Sequence, residues 1–252
     1  MPNLCIADKN KIMEKLVYKS LLKYLTNNKL FSDLQFAFKS RISCSDALLK
    51  IQNTLIRHLN ANKKVAVITL DLRKAFDSVS HEILIKKLYC LGFTWNTILW
   101  FRSYLSNRSQ CVSLNGKTSK LLTVKRGVAQ GSVLGPLLFS IFVNGVCDVM
   151  ISLCDIILYA DDTTLIFAAD TLQDLENDIN NGLVTLSNWL IDNKLSLNVS
   201  KSNYMLINLS QRPLNDLNIK YANESLPRVR STKILGIIFD DKLSFKEHIY
   251  YI

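Results

Sequence analysis

Tyr159-Ala160-Asp161-Asp162, preceded by Ile156-Ile157-Leu158 and followed by Thr163-Thr164-Leu165-Ile166-Phe167, is the stretch that decides the fold. Apolar and β-branched residues on both sides read as two strands, which puts the adjacent carboxylates at the tip of a hairpin. Asp is an ordinary turn residue, so the pair alone has a plain explanation. Two Asp side chains on one tight turn also repel each other, and divalent cations relieve that repulsion. A third carboxylate, ninety residues earlier, favours the cations. Val65-Ala66-Val67-Ile68-Thr69-Leu70 reads as a buried strand and delivers Asp71 at its C-terminal end.

Leu72-Arg73-Lys74-Ala75-Phe76-Asp77 follows, then a helix from about Ser80 with Glu82 in its first turn, Lys86 and Lys87 near its end and Gly92 as its stop. The two Asp stretches, in this order and spacing, resemble the metal-binding motifs of a reverse transcriptase palm. Gly127-Val128-Ala129-Gln130-Gly131-Ser132-Val133-Leu134-Gly135-Pro136-Leu137-Leu138-Phe139 resembles the motif between them. Trp189, Asn193 to Asn198, Lys201, Ile234-Leu235-Gly236-Ile237 and Asp240 to Phe245 resemble later palm motifs of non-LTR retrotransposons. Gln35-Phe36-Ala37-Phe38-Lys39 through Asp46-Ala47-Leu48 is similar to a fingers motif of the same group, and the likeness runs from about Pro2 to the last residue.

The resemblance implies an α/β (α+β) fold: a polymerase palm with an antiparallel sheet packed on helices, plus mostly helical fingers. Residues 1–64 would be fingers and 65–252 palm, with a fingers insertion around 78–124. The implied reaction is RNA-directed DNA synthesis, adding dNMP from a dNTP to a DNA primer on an RNA template. It needs two Mg²⁺ ions, with Mn²⁺ as the alternative. Asp71 and Asp161 would bridge the ions, Asp162 would be a weaker ligand, and the carbonyl of Leu72 would add an oxygen. Phe76 would lie under the nucleotide sugar and reject a 2′-hydroxyl. Gln130 and Gly131 would approach template and nucleotide, Lys39 and Arg41 would contact the nucleotide, and Lys201 would protonate the pyrophosphate. Leu235 and Gly236 would form a primer grip. Plainer roles exist for several of these: Phe76 as a core aromatic, Lys201 as a solvated lysine, Leu235-Gly236 as a structural turn.

The sequence also departs from the family pattern. Met1 stands where a triphosphate-gripping Arg is expected before Pro2, and Ala37, Ala129 and Gly145 replace the usual Gly, Pro and Asp. Ile252 follows the primer grip without room for a helical thumb, so the expectation is a domain truncated at both ends. The alternative to an enzyme is a catalytically silent remnant that keeps the fold and a basic RNA-binding surface.

Composition fits either reading. The 252 residues are 48% hydrophobic, enough for a full core, and 31 Lys and Arg against 21 Asp and Glu give a net charge of +10, suited to a polyanionic partner. Six Cys form no Cys-x-x-Cys pair, which predicts buried free thiols in a reducing, intracellular setting. No secretory signal is visible. The apolar region from Val133 to Cys154 is interrupted by Gly135-Pro136, Asn144-Gly145 and Asp148, so it reads as a buried helix without membrane contact. Hydrophobic periodicity predicts helices at 11–26, 45–60, 80–91, 95–106, 136–150 and 172–192. Strands are expected at 65–70, 110–114, 121–124, 156–158, 164–168, 204–208 and 234–239, with Asn115-Gly116 turning the second into the third.

Overall fold

The apolar run before Asp71 forms β1 (Lys64–Leu70), in which Val65 to Ile68 have no exposed surface. This comes from a computed structural model that describes residues 8–39, 42–106, 108–129 and 131–252. Ahead of β1 lie α1 (Asp8–Asn27) and α2 (Cys44–Asn60). After it come α3 (Ala75–Ser78), α4 (His81–Cys90) and α5 (Trp95–Leu105). A ribbon follows, made of β2 (Ser109–Gln110), β3 (Ser113–Leu114), β4 (Lys117–Thr118) and β5 (Leu122–Thr123). Then come α6 (Gly135–Val143), α7 (Val146–Met150), β6 (Asp155–Tyr159), β7 (Asp162–Ala169) and α8 (Leu172–Asp192). The chain continues through β8 (Asn203–Ile207), β9 (Lys220–Tyr221), β10 (Glu224–Ser225), β11 (Ser231–Ile234), β12 (Ile237–Asp240) and α9 (Lys246–Tyr251).

These elements divide into two units. Asp33–Arg73 and Val146–Ile252 make one, and the described residues up to Ser32 with Lys74–Gly145 make the other. In the first, four antiparallel strands run in the order β6-β7-β1-β8. Ala47, Ile51 and Leu55 of α2 pack with Val65, Val67, Ile157, Ile166, Met205 and Ile207 on one face. The opposite face takes α8, whose Leu175, Ile179, Leu183, Leu186 and Leu190 are buried at helical spacing. A Cβ on Gly182 would come within 2.7 Å of the Phe167 ring, so the absent side chain is what lets α8 lie so close to β7. Covered on both faces, β1 carries a continuous apolar run instead of alternating, although its sheet is antiparallel. Thr171 caps α8 by accepting from the backbone N–H of Asp174, and Ser43 with Asp46 forms a capping box on α2.

In the helical unit Glu14 of α1 is buried and accepts hydrogen bonds from the Tyr104 hydroxyl at 2.9 Å and the Val133 backbone N–H at 2.6 Å. It ties α5 to the chain entering α6. Tyr24 donates to the Leu91 carbonyl at 3.0 Å.

Three expectations are corrected. The helix at 136–150 is broken into α6 and α7 at Asn144-Gly145. There the Asn144 side chain accepts from the Ser32 backbone N–H and donates to the Leu30 carbonyl, tying the break to a segment distant in sequence. The strand at 234–239 is instead the hairpin β11–β12, because Leu235 (φ 48°) and Gly236 (φ 93°) occupy its turn. Of the cysteines expected to be buried, Cys90 and Cys111 are exposed, Cys147 is buried, and all five described are free thiols. The Asn115-Gly116 turn is as expected, with both residues at positive φ, as a two-residue type I′ loop requires. No helix among the described residues is long and apolar enough to cross a membrane.

Candidate active site

Strand register brings the three carboxylates together. In the β1–β7 pair Leu70 lies opposite Thr163, so the next step in the same register sets Asp71 against Asp162. In β6–β7, Tyr159 pairs with Asp162, leaving Ala160 and Asp161 as a two-residue loop. Ala160 adopts φ 57°, a left-handed conformation that costs an L residue with a Cβ about 1 kcal/mol. Both backbone strain and like charge are therefore concentrated at this turn.

The electrostatics agree with the register. Partial loss of hydration, then the charges of Asp161 and Asp71, raise the Asp162 carboxyl above its ordinary range even though the side chain reaches the surface. Among the described residues, no three His, Cys, Asp or Glu side chains form a ready-made ion cage. Mg²⁺ in nucleotide sites is usually held by one or two carboxylates, with substrate phosphates and water completing the shell. The donor set, carboxylates whose charges act on one another, is of the chemical kind that a hard divalent cation takes.

Asp71 is gripped by residues 196–202, a segment in which the resemblance marks only Lys201 for a role in the chemistry. Its backbone N–H donates to Ser202 Oγ at 3.1 Å, and its carbonyl accepts from the Asn198 N–H at 2.7 Å. The Asn198 side-chain amide donates to Asp71 Oδ2 at 2.9 Å. Ser202 and Ser200 fix Asn198 in turn, Ser202 Oγ donating to its carbonyl and Ser200 Oγ to its Oδ1. Leu72 bridges Leu197, and Arg73 N–H donates to the Ser196 carbonyl at 2.8 Å. Nothing local marks this pairing, since 127 residues separate Asp71 from Asn198. Lys201 lies exposed in the same segment, on a single 3₁₀ turn (Val199–Lys201).

Gln35 is a second residue that sequence reasoning left without a role. It is fully buried, and its Oε1 accepts from the backbone N–H groups of Ala37 at 2.9 Å and of Ala160 at 3.4 Å. The segment around it hydrogen-bonds along β6, with Phe36 N–H donating to the Leu158 carbonyl. Lys39 is half-buried and lies 4.0 Å from Asp33; burial lowers its pKa, and Asp33 opposes that. Leu235 and Gly236 form the β11–β12 turn, whose Leu235 carbonyl accepts from the Cys44 thiol.

The remaining candidates belong to the helical unit. Phe76 stands on α3 with its ring 4.6 Å from that of Phe139, a packing contact that the core-aromatic role explains. Gly131 is exposed at φ 79° with open space around it. Gly127, which had no assigned role, is the glycine under geometric demand: a Cβ there would lie 2.9 Å from the Asp77 backbone. Arg41 and Gln130 lie outside the described residues.

The sequence model of the reverse transcriptase (RNA-dependent DNA polymerase) family matches residues 2–239. The chain belongs to the reverse transcriptase family. It is 28% identical to the RNA-directed DNA polymerase from the mobile element jockey of Drosophila melanogaster, covering 98% of this chain and 27% of that protein. It is 26% identical to the probable RNA-directed DNA polymerase from transposon BS of the same species, over 98% of this chain and 28% of that one. The chain thus spans a little over a quarter of the length of these relatives. Among solved structures, telomerase from Candida albicans in complex with a fragment of telomeric RNA superposes with a TM-score of 0.66 at 16% identity, over 94% of this chain and 38% of that chain. Apo telomerase from Candida tropicalis gives 0.62 at 14% identity, over 93% and 45%. At these identities the likeness is one of fold alone.

Proposed function

We propose that this chain is the polymerase core of a retrotransposon-type reverse transcriptase, adding dNMP to a DNA primer 3′ end on an RNA template. The observation that carries this reading is the meeting of Asp71, Asp161 and Asp162 at one end of the sheet, in an otherwise basic chain. Those carboxylates and the Leu72 carbonyl would hold two divalent cations, which would supply charge neutralisation at the triphosphate and activation of the primer hydroxyl. The chain's own part is positioning. Asn198 and Ser202 fix Asp71, the strained Ala160 turn presents Asp161, and register holds Asp162 between them. Lys201 supplies a proton donor for the leaving pyrophosphate. Phe76 and Gly131 border the nucleotide, Lys39 assists at its phosphates, and the Leu235-Gly236 turn grips the primer. The same reading assigns Gln130 and Arg41 to template and nucleotide contact, residues 1–64 to the fingers, and 65–252, with an insertion around 78–124, to the palm.

Primer extension on an RNA template tests the reading. Wild type should extend the primer only when Mg²⁺ or Mn²⁺ is present. Asp161→Asn should cut the rate roughly 100-fold or more while leaving primer-template affinity within about 2-fold. Extension unaffected by Asp161→Asn would sink the assignment.

A further inference from the structure

The ribbon between α5 and α6 has no role in the chemistry above, and its construction is unusual. From Ser109 to Thr123 every residue is exposed, so both faces meet solvent. Val112, Leu114, Leu121 and Leu122 are 55%, 71%, 69% and 67% exposed. A two-stranded hairpin without a covering layer is marginal in water. This one is nevertheless well anchored at its root. Arg108 lies over the Tyr104 ring at 4.8 Å, Tyr104 stacks on Trp100 and donates to buried Glu14, and the Arg108 carbonyl accepts from Val124 N–H at 2.8 Å. Burial within this stack pushes the Tyr104 hydroxyl up to about 12. A ribbon uncovered on both faces and tied down at its root has the form of a contact surface.

Charge identifies the partner. Residues 83–147 contain eight Lys and Arg and no Asp or Glu, against a net charge of +10 for the whole chain. Of these, Lys117, Lys120, Lys125 and Arg126 are exposed on or beside the ribbon, with no carboxylate in ion-pairing range among the described residues. Such a surface suits phosphates. Single strands are held by stacking bases on aromatic rings, and residues 108–126 include no Phe, Tyr or Trp. A two-stranded ribbon fits the major groove of B-form DNA, whereas the A-form RNA groove is too deep and narrow to admit it. We propose that the ribbon from Arg108 to Val124 docks on duplex DNA, with Lys117, Lys120, Lys125 and Arg126 on its phosphates and the exposed Val112 and Leu114 toward its bases. This goes beyond the polymerase reading, which requires only an RNA template and a primer end, and does not depend on it.

The test is fluorescence anisotropy of the whole chain with a labelled 20-bp DNA duplex, the matching RNA duplex and a 20-nucleotide single strand, without metal or dNTP, over a range of salt. Lys117→Ala/Lys120→Ala should weaken DNA-duplex binding roughly 10-fold or more near 100 mM salt and lower the salt slope by about 2. The charge-matched control Lys220→Ala/Lys246→Ala, at exposed positions in the sheet unit, should change affinity less than about 2-fold. Equal losses in the two double variants would overturn the proposal, as would a ribbon variant that loses single-strand or RNA-duplex binding as much as DNA-duplex binding. No measurable duplex affinity in wild type at low salt would overturn it too. Because no primer is extended, these outcomes are separate from failure of the polymerase reading.

Discussion

Asp71 receives its two backbone hydrogen-bond partners and one of its carboxylate contacts from the single segment Asn198–Ser202. Asn198 thereby engages Asp71 Oδ2, and the proposed metal role falls to the other oxygen. A hydrogen bond to a charged group is worth about 1.5–3 kcal/mol. Asn198→Ala should therefore raise the Mg²⁺ concentration needed for half-maximal extension roughly 10-fold, with Asn198→Ser less impaired, and isothermal titration of Mg²⁺ should move in parallel. Unchanged metal dependence in Asn198→Ala would remove Asn198 from the positioning role. At the hairpin tip, Ala160→Gly exchanges an L residue at φ 57° for one without a Cβ. The left-handed penalty of about 1–2 kcal/mol outweighs the entropy glycine adds to the unfolded chain, so a gain of roughly 0.5–1 kcal/mol is expected in urea melts. The Asp residues were legible because each stands at the end of its own apolar run. Asn198 and Gln35 were not, because their partners are distant in sequence and no local pattern records a contact of that kind.

At the scale of elements, α2 is fastened to the start of β6 by one carboxylate. Asp155 accepts from Arg57 Nη2 with both oxygens, at 2.9 and 3.0 Å, and from His58 Nε2 at 2.7 Å. Burial pushes the Asp155 pKa up, but hydrogen bonds and charge from His58 and Arg57 outweigh burial and hold it below the ordinary carboxylate value. A depressed carboxylate stabilises the fold fully above its unfolded pKa, near 4, and the contribution fades as pH falls through the lower folded value. Asp155→Asn should cost about 1–2 kcal/mol at pH 7, discounted for the exposed Arg57, and the gap to wild type should close toward pH 3 in acid-series melts. A gap independent of pH would mean the side chain acts through packing alone. The elements that sequence misplaced share one cause. In 136–150 and in 234–239 a long apolar run dominates the periodicity, while the break is set by Asn144-Gly145 and Leu235-Gly236, two-residue signals easily outweighed by their neighbours. The hairpin at Asn115-Gly116 was read correctly because its flanks are less apolar and the turn signal stands alone.

For the whole molecule, composition made the basic surface legible, and the order of motifs made the fold legible. The two units interleave, Lys74–Gly145 interrupting the sheet unit between Arg73 and Val146, and no linker-like or low-complexity stretch marks either join in the sequence. Asp71, Asp161 and Asp162 then stand out as a negative point in a chain of net charge +10. The raised pKa of Asp162 means that its ionisation costs the folded chain stability, a cost that grows as pH rises from the unfolded carboxylate value, near 4, through the higher folded one. Replacing all three with Asn removes the repulsion and the ion ligands together. In EDTA the triple variant should melt at a higher temperature than wild type. Wild type should gain stability on adding Mg²⁺, about 1.4 kcal/mol at ten times the dissociation constant, and the variant should gain none. Affinity for an RNA–DNA hybrid, carried by the basic surface, should hold or tighten in the variant, since three negative charges are gone. Equal stabilisation of both proteins by Mg²⁺ would place the ions elsewhere and separate this fold from the two-metal chemistry assigned to it.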